Sequence, residues 1–507
     1  MSLFKNLLMA LSILLSLGVN AGFEDNEDLY PYRQNLHINH PMQILNSGIG
    51  ALWARVDMIR RANETLELEY FIFNTDKASR IILRELVSAA NRGVKVRLLV
   101  DKSAAVFVLD EFFAEALKKK NVEVRYYNAA SIIQISTVQF RNHRKMISRD
   151  GIEAITGGRN IADEYFDLSE TFNFLDRDVW VEGPVVATMV ETFDRFWKSD
   201  IVETPSKPEA PIKFAGDRVV SRKEKRKRAV QHKERVKRFK SKRRFAHRFL
   251  RDHQKDDFSA LRYAETYGKK ALALTNKHTC PHVGFATDKE GGDFAKRVSS
   301  ADYHLNYRLL RKEIAKWLGY IETEVTLDSP YFLNNSRSRE ALEKMLDAGQ
   351  KVNILTNSLG STDAIYVSTV FAEEVRGYTP LDNFSAHIYI GKFSNESELM
   401  NDEIRNAVWG THSKTIVFND KAVMVGTFNI DNRSSYYNTE MAIFCNESKE
   451  IRDDVMDNIK LRMKYSKKLG KNGRPEDGSK LLANSSFTKK LLYFFLKVPA
   501  SLLKFLL

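Results

Sequence analysis

Apolar and polar positions between residues 49 and 101 follow a helix, strand, helix, strand rhythm. Residues 66–73 (LELEYFIF) read as a strand, and residues 79–92 carry helical spacing that stops at Gly93. Residues 94–101 (VKVRLLVD) read as the next strand. Strands alternating with helices of this length predict parallel pairing with helices packed over the sheet. The same succession returns downstream. A strand at 321–327 leads into Ser329-Pro330-Tyr331-Phe332, a helix at 339–348 stops at Gly349, and a strand follows at 351–356. Tyr70-Phe71 aligns with Tyr331-Phe332, and Gly93 with Gly349. A repeat of whole half-domains predicts an α/β fold with pseudo-two-fold symmetry and one shared site between the halves.

Each half also carries one copy of a polar motif. Residues 140–166 contain His143, Lys145 and Asp150, then Gly157-Gly158-Arg159-Asn160. Residues 410–440 contain His412 and Lys414, then Gly426-Thr427-Phe428-Asn429. Side chains two apart on a strand share a face, so each copy puts an imidazole and an ammonium into one space. Each copy then turns, returns as an apolar strand and ends in a small-residue loop bearing Asn, where glycine allows close backbone approach. One His-x-Lys in a basic protein carries almost no information, whereas two copies in matching strand contexts point to a site. Two His, two Lys and two Asn together suit a phosphodiester. One His attacks phosphorus, the other protonates the leaving alcohol, and Lys and Asn hold the equatorial oxygens.

The pair resembles the phospholipase D superfamily, whose signature is His-x-Lys-x4-Asp followed by a Gly-Gly/Ser-x-Asn element. The first copy matches throughout, including Asp150. The second has Asn419 at that place and Asp420 one residue later. The family's Asp is mainly structural, so the departure implies a changed turn and not a dead site. Asp178 heads Asp178-Val179-Trp180-Val181-Glu182-Gly183-Pro184, which resembles the family's Asp-strand-Gly-Pro element. The resemblance implies that Asp178 lies behind one catalytic His, fixing its tautomer, and that Glu440 does the same behind His412. The segment from Asn357 to Asp363, with residues 157–166 and 429–434, narrows the likeness to bacterial C-type cardiolipin synthases.

The implied motif set is therefore His143, Lys145, Asp150, His412 and Lys414, with Asn160 and Asn429 binding phosphate and Asp178 and Glu440 orienting the imidazoles. His143 is assigned as nucleophile and His412 as acid and base. The implied reaction is phosphatidyl transfer through a phosphatidyl-histidine, with phosphatidylglycerol as acceptor and cardiolipin as product. No metal or other cofactor is expected, because Lys145 and Lys414 supply positive charge. Relatives hydrolyse lipids or cut nucleic acid with the same site, so a phospholipase D and a secreted phosphodiesterase or nuclease stand as alternatives. A membrane-binding protein with a decayed site is the non-enzymatic one.

Length and charge add organisation. The 507 residues, 43% hydrophobic, allow two sizeable domains. Residues 222–255 hold seventeen Lys or Arg against three Asp or Glu, a surplus equal to the whole chain's +14. This stretch lacks Gly and Pro and carries Phe239, Phe245, Phe249 and Leu250 near helical periods. It reads as a cationic helical insertion near the join of the halves, serving anionic lipid, nucleic acid or only solvent. Residues 1–21 read as a secretory signal with Lys5, an apolar run at 7–19 and Val19-Asn20-Ala21, or else as an uncleaved anchor. Export permits a disulfide between the two cysteines, Cys280 and Cys445, but Cys445 reads as a small buried side chain.

The expected domains are thus 1–21 signal, 22–215 first half, 216–260 basic insertion, 261–465 second half, 466–485 mobile linker and 486–507 tail. The tail is apolar but interrupted by Lys497, Pro499 and Lys504, which fits an interfacial anchor or a docked helix. The expected location is exported and membrane-associated, on the periplasmic side of a bacterial membrane. Expected partners are phospholipid substrates and an anionic membrane surface, with nucleic acid not expected.

Overall fold

The computed structural model describes residues 37–103, 106–129, 139–212, 221–251, 255–291, 307–362, 374–393, 399–420, 422–481, 485–491, 493 and 495. The signal-like segment, most of the tail and Asp363 lie outside the described residues.

The first half runs β1 (His37–Leu45), α1 (Gly48–Arg61), β2 (Thr65–Tyr70), α2 (Lys77–Asn91), β3 (Lys95–Asp101), α3 (Glu111–Lys118) and β4 (Val122–Tyr127). It continues through β5 (Met146–Arg149), β6 (Glu153–Gly157), β7 (Phe172–Leu175), β8 (Asp178–Glu182), α4 (Val185–Lys198) and β9 (Val202–Glu203). Two helices follow, α5 (Arg222–Arg251) and α6 (Lys255–Tyr263). The second half runs β10 (His278–Thr287), α7 (Leu309–Leu318), β11 (Glu324–Asp328), α8 (Ser336–Asp347), β12 (Lys351–Asn357) and β13 (Phe384–Tyr389). It closes with β14 (Val408–Thr411), β15 (Thr415–Phe418), β16 (Ala422–Gly426), β17 (Met441–Asn446), α9 (Lys449–Lys464) and β18 (Ser466–Lys468).

The expected glycine stops act as read. The Asp76 side chain caps α2 by accepting from Ser79 N–H, and Gly93 turns the chain out of that helix at φ 99°. Gly349 does the same after α8 at φ 78°. The parallel pairs β2–β3–β4 and β11–β12–β13 match the expected crossovers.

Sixteen strands form one sheet in the order β18-β13-β12-β11-β15-β16-β17-β10-β1-β8-β6-β5-β2-β3-β4-β9. The order is a mirror about the antiparallel β1–β10 seam, where His40 lies opposite Cys280. α4 and α9 cover one face across that seam. A single core joins Val185, Phe193 and Phe196 of α4, Val455 and Ile459 of α9, and Val179, Val181, Val423 and Val425 of the strands. Each such fully buried side chain contributes about 1.5–3 kcal/mol. The halves are therefore held as one body by shared apolar surface as well as by backbone pairing.

Several expectations change here. Phe73 bridges to Ile161 and Phe332 to Ile430, so Phe73 is the counterpart of Phe332, and the pairing of Tyr70-Phe71 with Tyr331-Phe332 is two residues out of register. A two-residue slip keeps every side chain on its face, which is why the pattern tolerated it. Cys280 and Cys445 are both buried and form a disulfide across neighbouring strands. Residues 466–468, read as linker, are β18, an edge strand on β13. The basic segment is a helix as expected, but it docks on α3, away from the seam. Phe239 meets Phe112, and Phe245 and Phe249 meet Phe113. Among the described residues no helix is long and apolar enough to cross a membrane.

Candidate active site

The site sits where β7 and β14 pair in parallel and Asn142 bridges to Thr439. These are matching contacts. The His412 N–H donates to Leu175 O at 2.8 Å, and the His143 N–H donates to Thr439 O at 3.0 Å. Each histidine is thus fixed beside the residue that precedes a carboxylate of the other half. Asp176 follows Leu175, and Glu440 follows Thr439.

The side chains complete the exchange. His143 Nδ1 lies 2.9 Å from Glu440 Oε2, and His412 Nδ1 lies 2.6 Å from Asp176 Oδ2. A carboxylate only accepts, so Nδ1 carries the hydrogen in both rings and Nε2 is left for chemistry. This corrects two expectations. Glu440 stands behind His143, not His412. The acid behind His412 is Asp176, not Asp178, which instead pairs with the buried guanidinia of Arg55 at 2.9 Å and Arg159 at 3.3 Å. The register explains it. Gly157 lies opposite Asp178 and Gly426 opposite Ala442, so Asp178 corresponds to Ala442 and Asp176 to Glu440. In this register Val179 corresponds to Ile443, and each acid lies three residues earlier in the chain. Gly158 makes room for the carboxylate, since a Cβ there would fall 2.1 Å from Asp176 Oδ1. The second half has Thr427 at that place, whose hydroxyl donates to Glu440 Oε2. Ser434, also not singled out by sequence, donates to Glu440 Oε1 at 2.7 Å and accepts from Asn429 N–H at 3.1 Å.

The four motif bases are buried, with His143 7% and His412 5% exposed and Lys145 and Lys414 each 1%. Burial, with Lys145 adding to it against the pull of Glu440, pushes the His143 imidazole down to about 4. The imidazole is neutral at ordinary pH, with a lone pair on Nε2. Burial also lowers Lys145 to about 7; Glu440 opposes this and Lys414 reinforces it. Burial alone would raise Asp176, but His412, its hydrogen bond and Lys414 together hold it at about 2. Glu440 is likewise held below its usual range by His143 and Lys145 despite burial. Lys145 Nζ donates to His143 O at 2.7 Å, and Lys414 Nζ to His412 O at 2.5 Å. The result is a pocket of two ammonium groups and two carboxylate-backed imidazoles, suited to an anionic tetrahedral or trigonal phosphorus centre.

Asn160 Oδ1 accepts from Ile72 N–H at 3.1 Å, while Asn429 Oδ1 is buried with no hydrogen-bond partner among the described residues. Asp150 is not in the pocket. At φ 52° it closes a turn and accepts from the N–H groups of Asn63, Glu64 and Thr65. Asn419, at φ 53°, accepts in the same way from Glu322 and Thr323. The expected changed turn is therefore the same turn, since an amide oxygen replaces a carboxylate one. Asp150→Ala is expected to lower stability by about 1–3 kcal/mol, because three donors lose their acceptor, while kcat per folded molecule stays unchanged. Denaturant titration and initial rates on the same sample check both halves of that statement. Among the described residues no group of three His, Cys, Asp or Glu is placed to hold a metal ion.

Residues 56–197 and 321–461 match the family described as "Cardiolipin synthase, PLD-like domain". An uncharacterized protein of Helicobacter pylori (strain ATCC 700392 / 26695) is 29% identical, over 82% of this chain and 78% of that protein. Cardiolipin synthase C of Escherichia coli (strain K12) is 29% identical, over 79% of this chain and 81% of that protein. The crystal structure of phosphatidylserine synthase of Haemophilus influenzae Rd KW20 shares the fold, with a TM-score of 0.60 at 13% identity, covering 93% of this chain and 98% of that one.

Proposed function

This chain belongs to the cardiolipin synthase family of phospholipase D-like proteins, and from that premise we propose that it makes cardiolipin by transferring a phosphatidyl group onto phosphatidylglycerol. The observation that carries the reading is the reciprocal pairing of two imidazoles with carboxylates of opposite halves over two buried lysines. In the first step the Nε2 lone pair of His143 attacks the phosphorus of a donor phospholipid. The bond from phosphorus to the head-group oxygen breaks, and His412 gives its Nε2 proton to the leaving alcohol. In the second step neutral His412 takes the proton of an acceptor hydroxyl, whose oxygen attacks the phosphatidyl-histidine and expels His143. Lys145, Lys414, Asn160 and Asn429 hold the equatorial oxygens through both steps. Burial of both imidazoles supports transfer over hydrolysis, because water has little room beside the intermediate.

Mass spectrometry of lipid products tests this. Purified protein given phosphatidylglycerol, with and without phosphatidylethanolamine, is expected to yield cardiolipin, and His143→Ala none. Phosphatidic acid as the sole product would replace the transferase with a hydrolase. A phosphoryl adduct trapped on His412 and absent from His143 would reverse the two roles.

The pH profile follows from the site. His143 must be neutral and Lys145 charged in the free enzyme, so kcat/KM is expected to fall below about pH 4 and above about pH 7. Bound phosphodiester holds the Lys145 proton, so the alkaline limb of kcat lies at higher pH than that of kcat/KM. Coincident alkaline limbs would remove Lys145 from phosphate binding.

An exported, membrane-associated location remains our reading. The Cys280–Cys445 disulfide supports it, because such bonds persist in oxidising compartments.

A further inference from the structure

The helix α5 has no part in the site, yet it carries the chain's whole charge surplus. It holds sixteen Lys or Arg against two Glu over 30 residues, about 45 Å of helix. Its contacts with α3 start at Phe239, which meets Phe112. Ala246 and Phe249 are its buried residues, Lys242 pairs with Asp110 at 2.9 Å, and Arg243 pairs with Glu115 at 3.5 Å. No residue between Arg222 and Arg238 is buried. Glu224, Arg228, His232 and Val236 are half-shielded at four-residue spacing, so they mark the inward stripe. Arg226, Lys233, Lys237 and Arg244 fall on the opposite stripe, and all four are exposed. Asp110 caps the N-terminus of α3, which follows β3, and β3 ends at Asp101, whose carboxylate accepts from Asn142 N–H beside His143. The stretch of α5 before Phe239 therefore continues from the N-terminal end of α3, the end that follows Asp101 in the chain.

The tail reaches the matching edge of the second half. Lys489 Nζ donates to the carbonyls of Gly360 and Thr362, in the loop after β12. There Phe487 is 80%, Leu491 47% and Phe495 70% exposed. Fixed cations on one flank and exposed aromatic and aliphatic groups on the other complement the phosphates and acyl chains of a bilayer.

We propose that the outward stripe of α5 and the exposed Phe487, Leu491 and Phe495 dock this enzyme on an anionic lipid bilayer, with the site turned toward that surface. The choice of a bilayer as partner rests on the lipid substrate proposed above. Nucleic acid would use the cations but has no need of the apolar flank.

Flotation of the full chain with phosphatidylcholine vesicles, with and without phosphatidylserine, tests it. The variant R226Q/K233Q/K237Q/R244Q is expected to bind the anionic vesicles about 10²- to 10³-fold more weakly at low salt. Phe487→Ser with Leu491→Ser is expected to lower the binding that survives high salt. Turnover of detergent-dispersed phosphatidylglycerol should be the same in wild type and both variants, which separates this surface from the reaction. Equal flotation of wild type and the α5 variant would overturn the proposal. So would wild-type binding that ignores phosphatidylserine, or displacement of the protein from vesicles by duplex DNA at matched charge.

Discussion

Asp176→Asn is expected to lower kcat by about 10³- to 10⁴-fold with little change in stability, while Asp178→Asn leaves kcat of the folded fraction near wild type. Asp176 accepts from His412 Nδ1–H at 2.6 Å. An asparagine there can offer its own N–H to Nδ1 and so favour the tautomer with hydrogen on Nε2. That tautomer has no lone pair on Nε2 to take a proton from the acceptor alcohol. The imidazolium needed to protonate the leaving group also loses its counter-charge. Among the described residues Asp178 by contrast is hydrogen-bonded by Arg55 and by the side chain and N–H of Arg159. Its loss leaves two buried guanidinia short of a partner, a cost borne by folding. Initial rates normalised to folded protein, beside denaturant midpoints for both variants, decide the matter. If kcat collapses in Asp178→Asn and survives in Asp176→Asn, the orienting acid has been misassigned.

Arg177→Ala is expected to destabilise the protein by about 3–5 kcal/mol. The Arg177 guanidinium is fully buried and reaches across the seam to Asp328 at 3.1 Å, Thr415 Oγ1 at 2.9 Å and Asn458 Oδ1 at 2.6 Å. Its Nε donates to Asn46 at 2.8 Å. Truncation leaves a buried carboxylate with Arg462, at 3.3 Å, as its remaining cation. The partner test is Asp328→Leu, which strands the buried guanidinia of Arg177 and Arg462 together and should cost at least as much. Unfolding in denaturant, followed by far-ultraviolet circular dichroism, reports both. A single variant as stable as wild type would mean that apolar packing and the β1–β10 ladder suffice to join the halves.

Local patterns carried the repeated βαβ units, the glycine stops and the two His-x-Lys pairs, because each depends on neighbours within a few residues. Asp176 was missed for a reason that is also local. Asp176 and Asp178 are two apart, so strand periodicity places both on one face and cannot choose between them. The choice depends on which residue lies opposite Gly157, and register belongs to the folded sheet. The crossing of Glu440 to His143 likewise depends on Asn142 meeting Thr439, and no motif records that contact. The β1–β10 seam and the disulfide join residues far apart in sequence, 165 residues in the case of the cysteines. Asn419 looked like a departure because its side chain lacks a charge, yet the turn needs only an oxygen acceptor.

The exchange of carboxylates bears on biosynthesis. Synthesis runs from the N-terminus, and a chain that has made only its first half has His143 and Lys145 but not Glu440. Its Asp176 has no imidazole to hold. Neither half is an enzyme in waiting, so the chemistry begins only when the last strands close the sheet. Turnover is therefore a count of correctly assembled molecules.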